Sequence, residues 1–284
     1  MPETLLTFIK AGLAASVFLT KFGVGLGIRP EDLRLIRERP GLMLRSLAAV
    51  TVLVPAAFLI IILLVRPARP FAVALAILAA SPAAPKVTGK VKKSGGNVGY
   101  AASLQLVVTL FALVSAPLAL GLLSSALDFK AEIDPLNVAQ QVFATIVVPI
   151  GLGMIVGTRF PRLEKLGAWL VKIATVFFLA TLLLILVKTA GVFLHTDLRS
   201  YLAIALTALA ALLIGHLLAP KGPEMKTALA LETAMRNPAL ALLIGTLNFP
   251  QTKPLPVLIP CVAVSTLIVT VYVKWQEKRT KGGR

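Results

Sequence analysis

Nine long stretches of predominantly apolar residues run through this chain, and they limit its fold more than any other feature. A helix needs roughly 20 apolar residues to cross a bilayer. Only helices and closed barrels can satisfy their backbone hydrogen bonds in lipid. The pattern therefore predicts an all-α polytopic membrane protein with nine transmembrane helices, at residues 4–28, 41–65, 68–93, 97–124, 136–158, 166–190, 199–219, 224–248 and 253–274.

The composition supports a membrane protein and excludes several kinds of site. Apolar residues make up 57% of the 284 residues and charged residues only 14%, which is unlike an ordinary soluble enzyme. One cysteine and two histidines cannot build an intramolecular disulfide or a multi-cysteine metal site. We therefore expect neither a metal centre nor a cofactor.

The distribution of positive charge predicts the orientation of the chain in the membrane. The net charge of +17 could suggest a nucleic-acid-binding protein, because clustered lysine and arginine residues release counterions from phosphate. When the nine stretches alternate in direction, however, eighteen basic residues fall on one side and five on the other. By the positive-inside rule, the richer side is cytoplasmic. We therefore predict an integral protein of the bacterial cytoplasmic membrane that contacts the lipid bilayer and no nucleic acid, with its N-terminus outside and its C-terminus in the cytoplasm.

Apart from those counted with the loops and helix ends, seven ionisable residues fall inside the apolar stretches. A charge at the centre of a bilayer costs about 3 kcal/mol on insertion scales, so such a group must reach the interface, pair, or line a polar cavity. Four lysines lie within about two turns of a predicted helix end, and we expect their side chains to extend to the interface; they are Lys10, Lys21, Lys172 and Lys188. The other three, Lys86, Glu232 and Arg236, lie where the stretches are interrupted.

Prolines interrupt two of the apolar stretches. Residues 80–89 contain Pro82 and Pro85, and a polar cluster at residues 232–237 is followed by Pro238. Proline removes a backbone donor and disfavours helix in the preceding residue. A kinked structural helix can explain either interruption alone, but two polar breaks in one chain are typical of a secondary transporter with its site between inverted repeats. The amides that follow Pro82 and Pro238 could then donate to a carboxylate.

The spacing of the breaks predicts two repeats of unequal length. Each break is followed by one further apolar stretch. Residues 136–284 would form a five-helix repeat, and residues 1–127 would form the same unit without its first helix. An odd offset of helices gives the two units opposite orientations in the membrane. Together they would form one transmembrane transporter domain.

Three motifs resemble those of the bile acid:sodium symporter family. Residues 23–40 resemble its early helix and cytoplasmic loop, and residues 81–84 resemble its Pro-Gly-Gly break. Residues 232–237, Glu-Thr-Ala-Met-Arg-Asn, resemble its Glu-x-Gly-x-Gln-Asn signature. The resemblance covers nearly the whole chain. It implies a panel unit and a core unit in which two broken helices cross near the membrane centre, and the transport of organic anions with sodium ions.

The resemblance also implies roles for single residues. Glu232 stands where a carboxylate would be shared by two sodium sites, Asn237 at the family asparagine, and Thr109 at a sodium-site threonine. Several other positions depart from the family. The changes are Arg236 and Val50 for glutamines, Gln105 for a serine, Ala234 for a glycine, and Pro85 and Lys86 near an expected Ser-Asn pair. Most of the neutral oxygen donors that a sodium ion needs are therefore missing.

From these departures we predict a secondary transporter of a small organic anion that works by alternating access without sodium, because Lys86 and Arg236 replace sodium ligands. Protons could serve as the coupling ion instead, through Glu232. The alternatives are a sodium-coupled, bile-acid-like symporter and a transport-inactive membrane scaffold. An enzyme is disfavoured because a lone glutamate provides no carboxylate pair. The candidate site residues are Lys86, Thr88, Gln105, Thr109, Glu232, Thr233, Arg236 and Asn237.

Overall fold

A computed structural model describes residues 3–28, 38–129, 135–249 and 255–282 of the chain. These residues form helices joined by short connections, with one isolated backbone bridge and no strand among them. The all-α prediction is thereby confirmed for the described part of the chain. Residues 29–37 of the motif at residues 23–40, and the side chains of Lys10 and Lys188, lie outside what is described.

The helices follow the predicted apolar stretches closely. We number them α1 to α11 in chain order: α1 (Glu3–Leu26), α2 (Pro40–Val65), α3 (Arg69–Ala80), α4 (Val87–Lys93), α5 (Val98–Ala126), α6 (Pro135–Val142, continued by Phe143–Val147 and Val148–Arg159), α7 (Glu164–Leu194), α8 (Leu198–Leu218), α9 (Pro223–Ala234), α10 (Pro238–Asn248) and α11 (Leu255–Gly282). The two predicted interruptions separate α3 from α4 and α9 from α10.

Six of these helices are long and apolar enough to cross a membrane: α2, α5, α6, α7, α8 and α11. Three shorter apolar helices, Ala11–Leu26, Arg69–Ala80 and Pro238–Asn248, fall in the other three predicted stretches. They are the part of α1 from Ala11 onwards and one half of each broken helix. The total of nine crossings and the inverted repeat remain predictions.

A widened turn in α2 has a consequence for the site. Residues Ala49–Leu53 form a π turn in which the amide of Val54 donates to the carbonyl of Ala49. In a regular helix that amide would donate to Val50 instead. The next residue, Pro55, has no N–H to replace it. The carbonyl of Val50 is therefore left without a donor from its own helix.

Close backbone contacts hold α1 between α6 and α7. A Cβ atom added at Gly25 would lie 2.5 Å from the carbonyl oxygen of Ile150 and 3.0 Å from the Cα of Gly153. One added at Gly23 would lie 2.7 Å from the carbonyl oxygen of Gly167. Only glycine permits backbones to approach this closely. The other helices, α2 to α5 and α8 to α11, pack around the two breaks and contain most of the large apolar core.

Candidate transport site at the crossing of two broken helices

The two helix breaks meet and satisfy each other's backbone. The amide of Ala84 donates to the carbonyl of Met235 at 2.8 Å, and the amide of Asn237 donates to the carbonyl of Pro82 at 2.9 Å. Ala83 and Arg236 form an isolated antiparallel bridge between these bonds. Buried backbone groups need partners, and each break supplies them for the other. The amide of Ala84, which we expected to be available to a substrate carboxylate, is therefore already used.

Arg236 extends the crossing to a third segment of backbone. Its Nη1 donates to the carbonyl of Ser81 at 3.1 Å, and its Nη2 donates to the carbonyl of Val50 at 2.9 Å. The second acceptor is the carbonyl that the π turn in α2 leaves free. Nε of Arg236 is buried without a hydrogen-bond partner. The guanidinium thus links α2 to both breaks, and Val50 is the position where the family resemblance called for a glutamine.

Two amide side chains complete the hydrogen bonding of the breaks. Gln105, on α5, donates from Nε2 to the carbonyl of Ala84 at 2.8 Å. Asn237 caps α10, because its side-chain oxygen accepts from the amide of Leu240 at 3.2 Å. Both residues are almost fully buried. The break between α3 and α4 is therefore held by donors from α5 as well as from the second break.

Glu232 is buried on the last turn of α9, next to this network. Its side chain has 0% exposure, and neither carboxylate oxygen has a hydrogen-bond partner. The cations whose charges act on it are Lys21 and Arg236. A buried polar group without a partner calls for an explanation in terms of water, an ion or a functional role.

Lys21 corrects two of our expectations. Its side chain, on α1, is only 2% exposed and does not extend to the interface. Its charge also acts on Glu232, which is the part that we expected Lys86 to play. Lys86 instead is exposed at the N-terminus of α4, where Lys90 is the charge that acts on it most.

The three threonines among the candidates occupy different environments. Thr233 is buried, and its hydroxyl donates to the carbonyls of Leu229 and Ala230 on its own helix. Thr109 is buried on α5, one turn after Gln105. Thr88 is partly buried on α4. The hydroxyl of Thr233 is thus used within its helix, and no structural observation assigns a role to the other two.

A cavity of about 520 Å³ opens beside the crossing, between the breaks and the helices α1, α7 and α11. Most of its wall is apolar, and it includes Phe58, Leu75, Phe178, Leu182 and Val262. The charged residues of the wall are all basic: Lys21, Lys86, Lys90 and Arg236. Among the described residues that line it there is no carboxylate. Glu232 does not line the cavity. Such a space suits an anion with an apolar body.

The comparison with known proteins agrees with this architecture. The sequence model of the Sodium Bile acid symporter family matches residues 14–196, about two thirds of the chain. The matched region contains the first break and ends before Glu232 and the second. No curated protein matches the chain. Because the match extends over more than half of it, this helical membrane protein belongs to the Sodium Bile acid symporter family of transporters.

Proposed function

We propose that this protein carries a small organic anion across the membrane by alternating access and does so without sodium. The hydrogen bonding of the backbone at the crossing is the main support for this proposal. N–H donors already occupy three backbone oxygens at the crossing, with Arg236 bound to Val50 and Ser81 and Gln105 bound to Ala84. A sodium ion would need neutral oxygens of this kind as ligands.

Electrostatics also oppose a sodium ion at this position. Two unit charges about 4 Å apart in an effective dielectric of about 20 repel by roughly 4 kcal/mol. A sodium ion beside Glu232 would face Arg236 and Lys21, whereas the carboxylate can offset only one positive charge. In this proposal, Arg236 and Lys21 supply the positive charge that sodium ions would otherwise bring to Glu232. Lys86 belongs instead to the wall of the cavity.

The cavity supports an organic anion as the substrate. Lys86 presents a point charge at its wall, and the guanidinium of Arg236 has donors beyond the two that bind Ser81 and Val50. The apolar wall would hold the body of the substrate. A bile acid, which the family's description names, has this combination of a carboxylate and a bulky apolar body.

Two observations favour other functions. The partnerless oxygens of Glu232 would suit a coupling cation, either sodium in a bile-acid-like symporter or a proton. Conversely, the loss of sodium ligands would suit a transport-inactive scaffold. Lys21 and Arg236 count against sodium, and the basic cavity counts against a scaffold, which needs no such space.

The test combines binding with transport. A panel of organic anions that includes cholate would be screened for thermal stabilisation of the purified protein in sodium and in N-methylglucamine. The best stabiliser would then be measured for uptake into proteoliposomes at fixed membrane potential, with and without an inward sodium gradient. We expect uptake that does not depend on sodium. Uptake that rises steeply with the gradient would support the symporter, and stabilisation by no anion would support the scaffold.

A further inference from the structure

Two lysines at the start of α4 face the cavity together. Both Lys86 and Lys90 belong to its wall. The amide of Lys90 donates to the carbonyl of Lys86 at 3.3 Å, so the two residues are one helical turn apart. Side chains at this spacing are neighbours on one face of a helix. Their ammonium groups therefore offer two positive charges to the same part of the cavity.

Neither lysine has a carboxylate partner in the cavity wall. All described acidic residues lie elsewhere, and the four charged residues that line the cavity are basic. Like charges one turn apart destabilise a helix, and α4 is only seven residues long, with the further lysines Lys92 and Lys93 at its end. An anion between Lys86 and Lys90 would remove their repulsion, and no described carboxylate of the wall does so.

A residue of α11 orients Lys90 along the cavity wall. Nζ of Lys90 donates to Oγ1 of Thr270 at 3.5 Å, and Thr270 donates in turn to the carbonyl of Thr266 at 2.7 Å. Thr266 also lines the cavity. The ammonium group of Lys90 thus lies between α4 and α11. An ammonium group has three N–H donors, so two of them remain for a ligand.

The two lysines continue a row of positive charge that begins at the crossing. Arg236 pairs with Ala83 in the backbone bridge between the breaks, and Lys86 follows Ala83 by three residues. Lys90 lies one turn further along α4, which is a rise of about 6 Å. A single anionic group bound to Arg236 would therefore leave Lys90, at the far end of the row, without a counterion.

We propose that the cavity selects an organic dianion, which binds Arg236 with one anionic group and the pair of Lys86 and Lys90 with the other. Lys90 is then the residue that sets the preference for a second negative charge. This inference rests on the proposed anion transport and names a narrower class of substrate for the same site. Lys90 is partly buried, and the charge-assisted hydrogen bonds of its ammonium group favour such a ligand over a monoanion of the same shape.

Lys21 is the other candidate for the second anionic group. It lines the cavity from α1, but it is a single lysine with only 2% exposure. Lys86 and Lys90 present two ammonium groups, and both side chains are more exposed than that of Lys21. The second group is therefore assigned to α4, and variants of both sites separate the two assignments.

The test compares two probes that differ by one charge. Decanesulfonate and decanedisulfonate, which has a sulfonate at each end, share the same apolar chain and stay ionised at neutral pH. Both are used as N-methylglucamine salts below their critical micelle concentrations, and their binding to the purified protein is measured by isothermal titration calorimetry without sodium. We expect the parent to bind the disulfonate about tenfold more tightly than the monosulfonate. Lys90→Gln should abolish most of this preference by weakening the binding of the disulfonate alone.

Three further variants serve as comparisons. Lys90→Arg should keep the preference, because it keeps the positive charge. Thr270→Val, which retains Lys90 but removes the oxygen that orients it, should lower the preference by a smaller factor. Lys92→Gln is the matched control, since Lys92 is an exposed lysine of the same helix that does not line the cavity. Detergent takes up the monosulfonate to the same extent with every variant, so differences between variants report on the protein.

Equal binding of the two probes by the parent, or an unchanged preference in Lys90→Gln, would overturn the inference. So would a preference that is lost in Lys21→Gln but not in Lys90→Gln. Uptake into proteoliposomes is measured separately with the same probes. Equal binding together with sodium-independent uptake would overturn only the selection of a dianion, whereas a binding preference without uptake of any anion would overturn only the proposed transport.

Discussion

At the scale of single residues, Arg236 determines how the crossing is held together. Its guanidinium joins the carbonyls of Ser81 and Val50, which come from two different helices. Val50 is available because the π turn and Pro55 leave its carbonyl without a donor. A glutamine side chain has one amide group and no charge. It therefore cannot keep both the hydrogen-bond geometry and the positive charge of Arg236. The substitution Arg236→Gln therefore tests both the structural and the ionic part of our proposal.

We expect Arg236→Gln to lower the stability of the purified protein by about 1–3 kcal/mol, the cost of leaving buried acceptors unpaired. It should also make sodium more stabilising, because one positive charge beside Glu232 is removed and an amide oxygen is added. Thermal unfolding in sodium and in N-methylglucamine measures both effects. Arg159→Gln, at the exposed end of α6, is the control. If transport and the response to sodium stay unchanged, Arg236 is only structural.

The sequence predicts that Glu232 and Arg236 lie at a helix break, as they do in the structure, but it does not predict the burial of Lys21. The first two lie at a proline-broken segment, where a charge has a visible reason to be buried. Lys21 lies near the end of an unbroken helix, where the distance to the interface suggests an extended side chain. That distance does not show which face of α1 points inward. Ser16 and Thr20 lie on the same face as Lys21, and this polar stripe was the available signal.

At the scale of elements, the apolar pattern predicts the helices to within a few residues, and small residues predict where they touch. A Cβ atom at Gly25 of α1 would meet the backbones of Ile150 and Gly153 of α6, so small residues lie where these two helices touch. The π turn in α2 was not predicted, because a proline after a long apolar run fits several local geometries. The type of turn decides which carbonyl is left without a helical donor. The amino-acid composition of the segment does not determine the type of turn.

Two glycines of α6 provide a matched comparison of this packing. A Cβ atom at Gly153 would clash with the carbonyl of Phe22 and lie 2.9 Å from the Cα of Gly25, whereas one at Gly151 would have nothing within 4 Å. We expect Gly153→Ala to destabilise the protein by about 1–3 kcal/mol through overpacking. Gly151→Ala should be neutral or slightly stabilising, because alanine favours helix. Equal melting temperatures for the two variants in detergent would contradict this account of α1 and α6.

The start of α8 is held by a cap that depends on pH. Asp197 accepts from the hydroxyl and the amide of Ser200, and the hydroxyl of Ser200 accepts from the amide of Ala68. The side-chain hydrogen bond from Ser200 holds the pKa of the Asp197 carboxyl below its ordinary value of 3.8. A carboxyl group with a lowered pKa contributes stability that is present above the unfolded value and is lost as the pH falls through the folded one.

Acidification below about pH 4 should therefore weaken this cap and the link to Ala68. Asp197→Asn keeps a capping oxygen but does not titrate in this range. We expect its melting temperature to fall less between neutral and acid pH than that of the parent. Asp128→Asn is the control, because Asp128 uses its backbone carbonyl, and not its carboxylate, to accept from Arg69. An equal acid response in the parent and in Asp197→Asn would show that the cap contributes nothing to the pH dependence.

At the scale of the whole molecule, the family resemblance predicts that the two broken helices cross, but the sequence does not predict which backbone groups of the breaks pair. The prolines show that backbone groups near residues 82 and 238 need partners. Each break finds its partners in the other break, through the backbones of Ala84, Met235, Pro82 and Asn237. This contact joins segments about 150 residues apart along the chain. Local pattern carries no information on such a pairing. The inverted repeat would bring the breaks together, and it remains a prediction because the packing of the described helices does not by itself establish the symmetry.

The distribution of charge predicts the orientation of the whole chain, and this prediction can be tested directly. Eighteen basic residues on one predicted side against five on the other predict that the C-terminal end of α11 lies in the cytoplasm and the start of α8 outside. Cys261 is buried, so the parent protein should react little with an impermeant maleimide. In intact cells, Leu198→Cys should be labelled, because Leu198 is 82% exposed at the outer end of α8. Lys278→Cys, exposed near the end of α11, should be labelled only after the membrane is permeabilised.

The reverse pattern would invert the topology, and labelling of both positions in intact cells would contradict an odd number of crossings between α8 and the end of α11. Because three predicted crossings separate the two positions, the experiment also tests whether the broken helix formed by α9 and α10 spans the membrane.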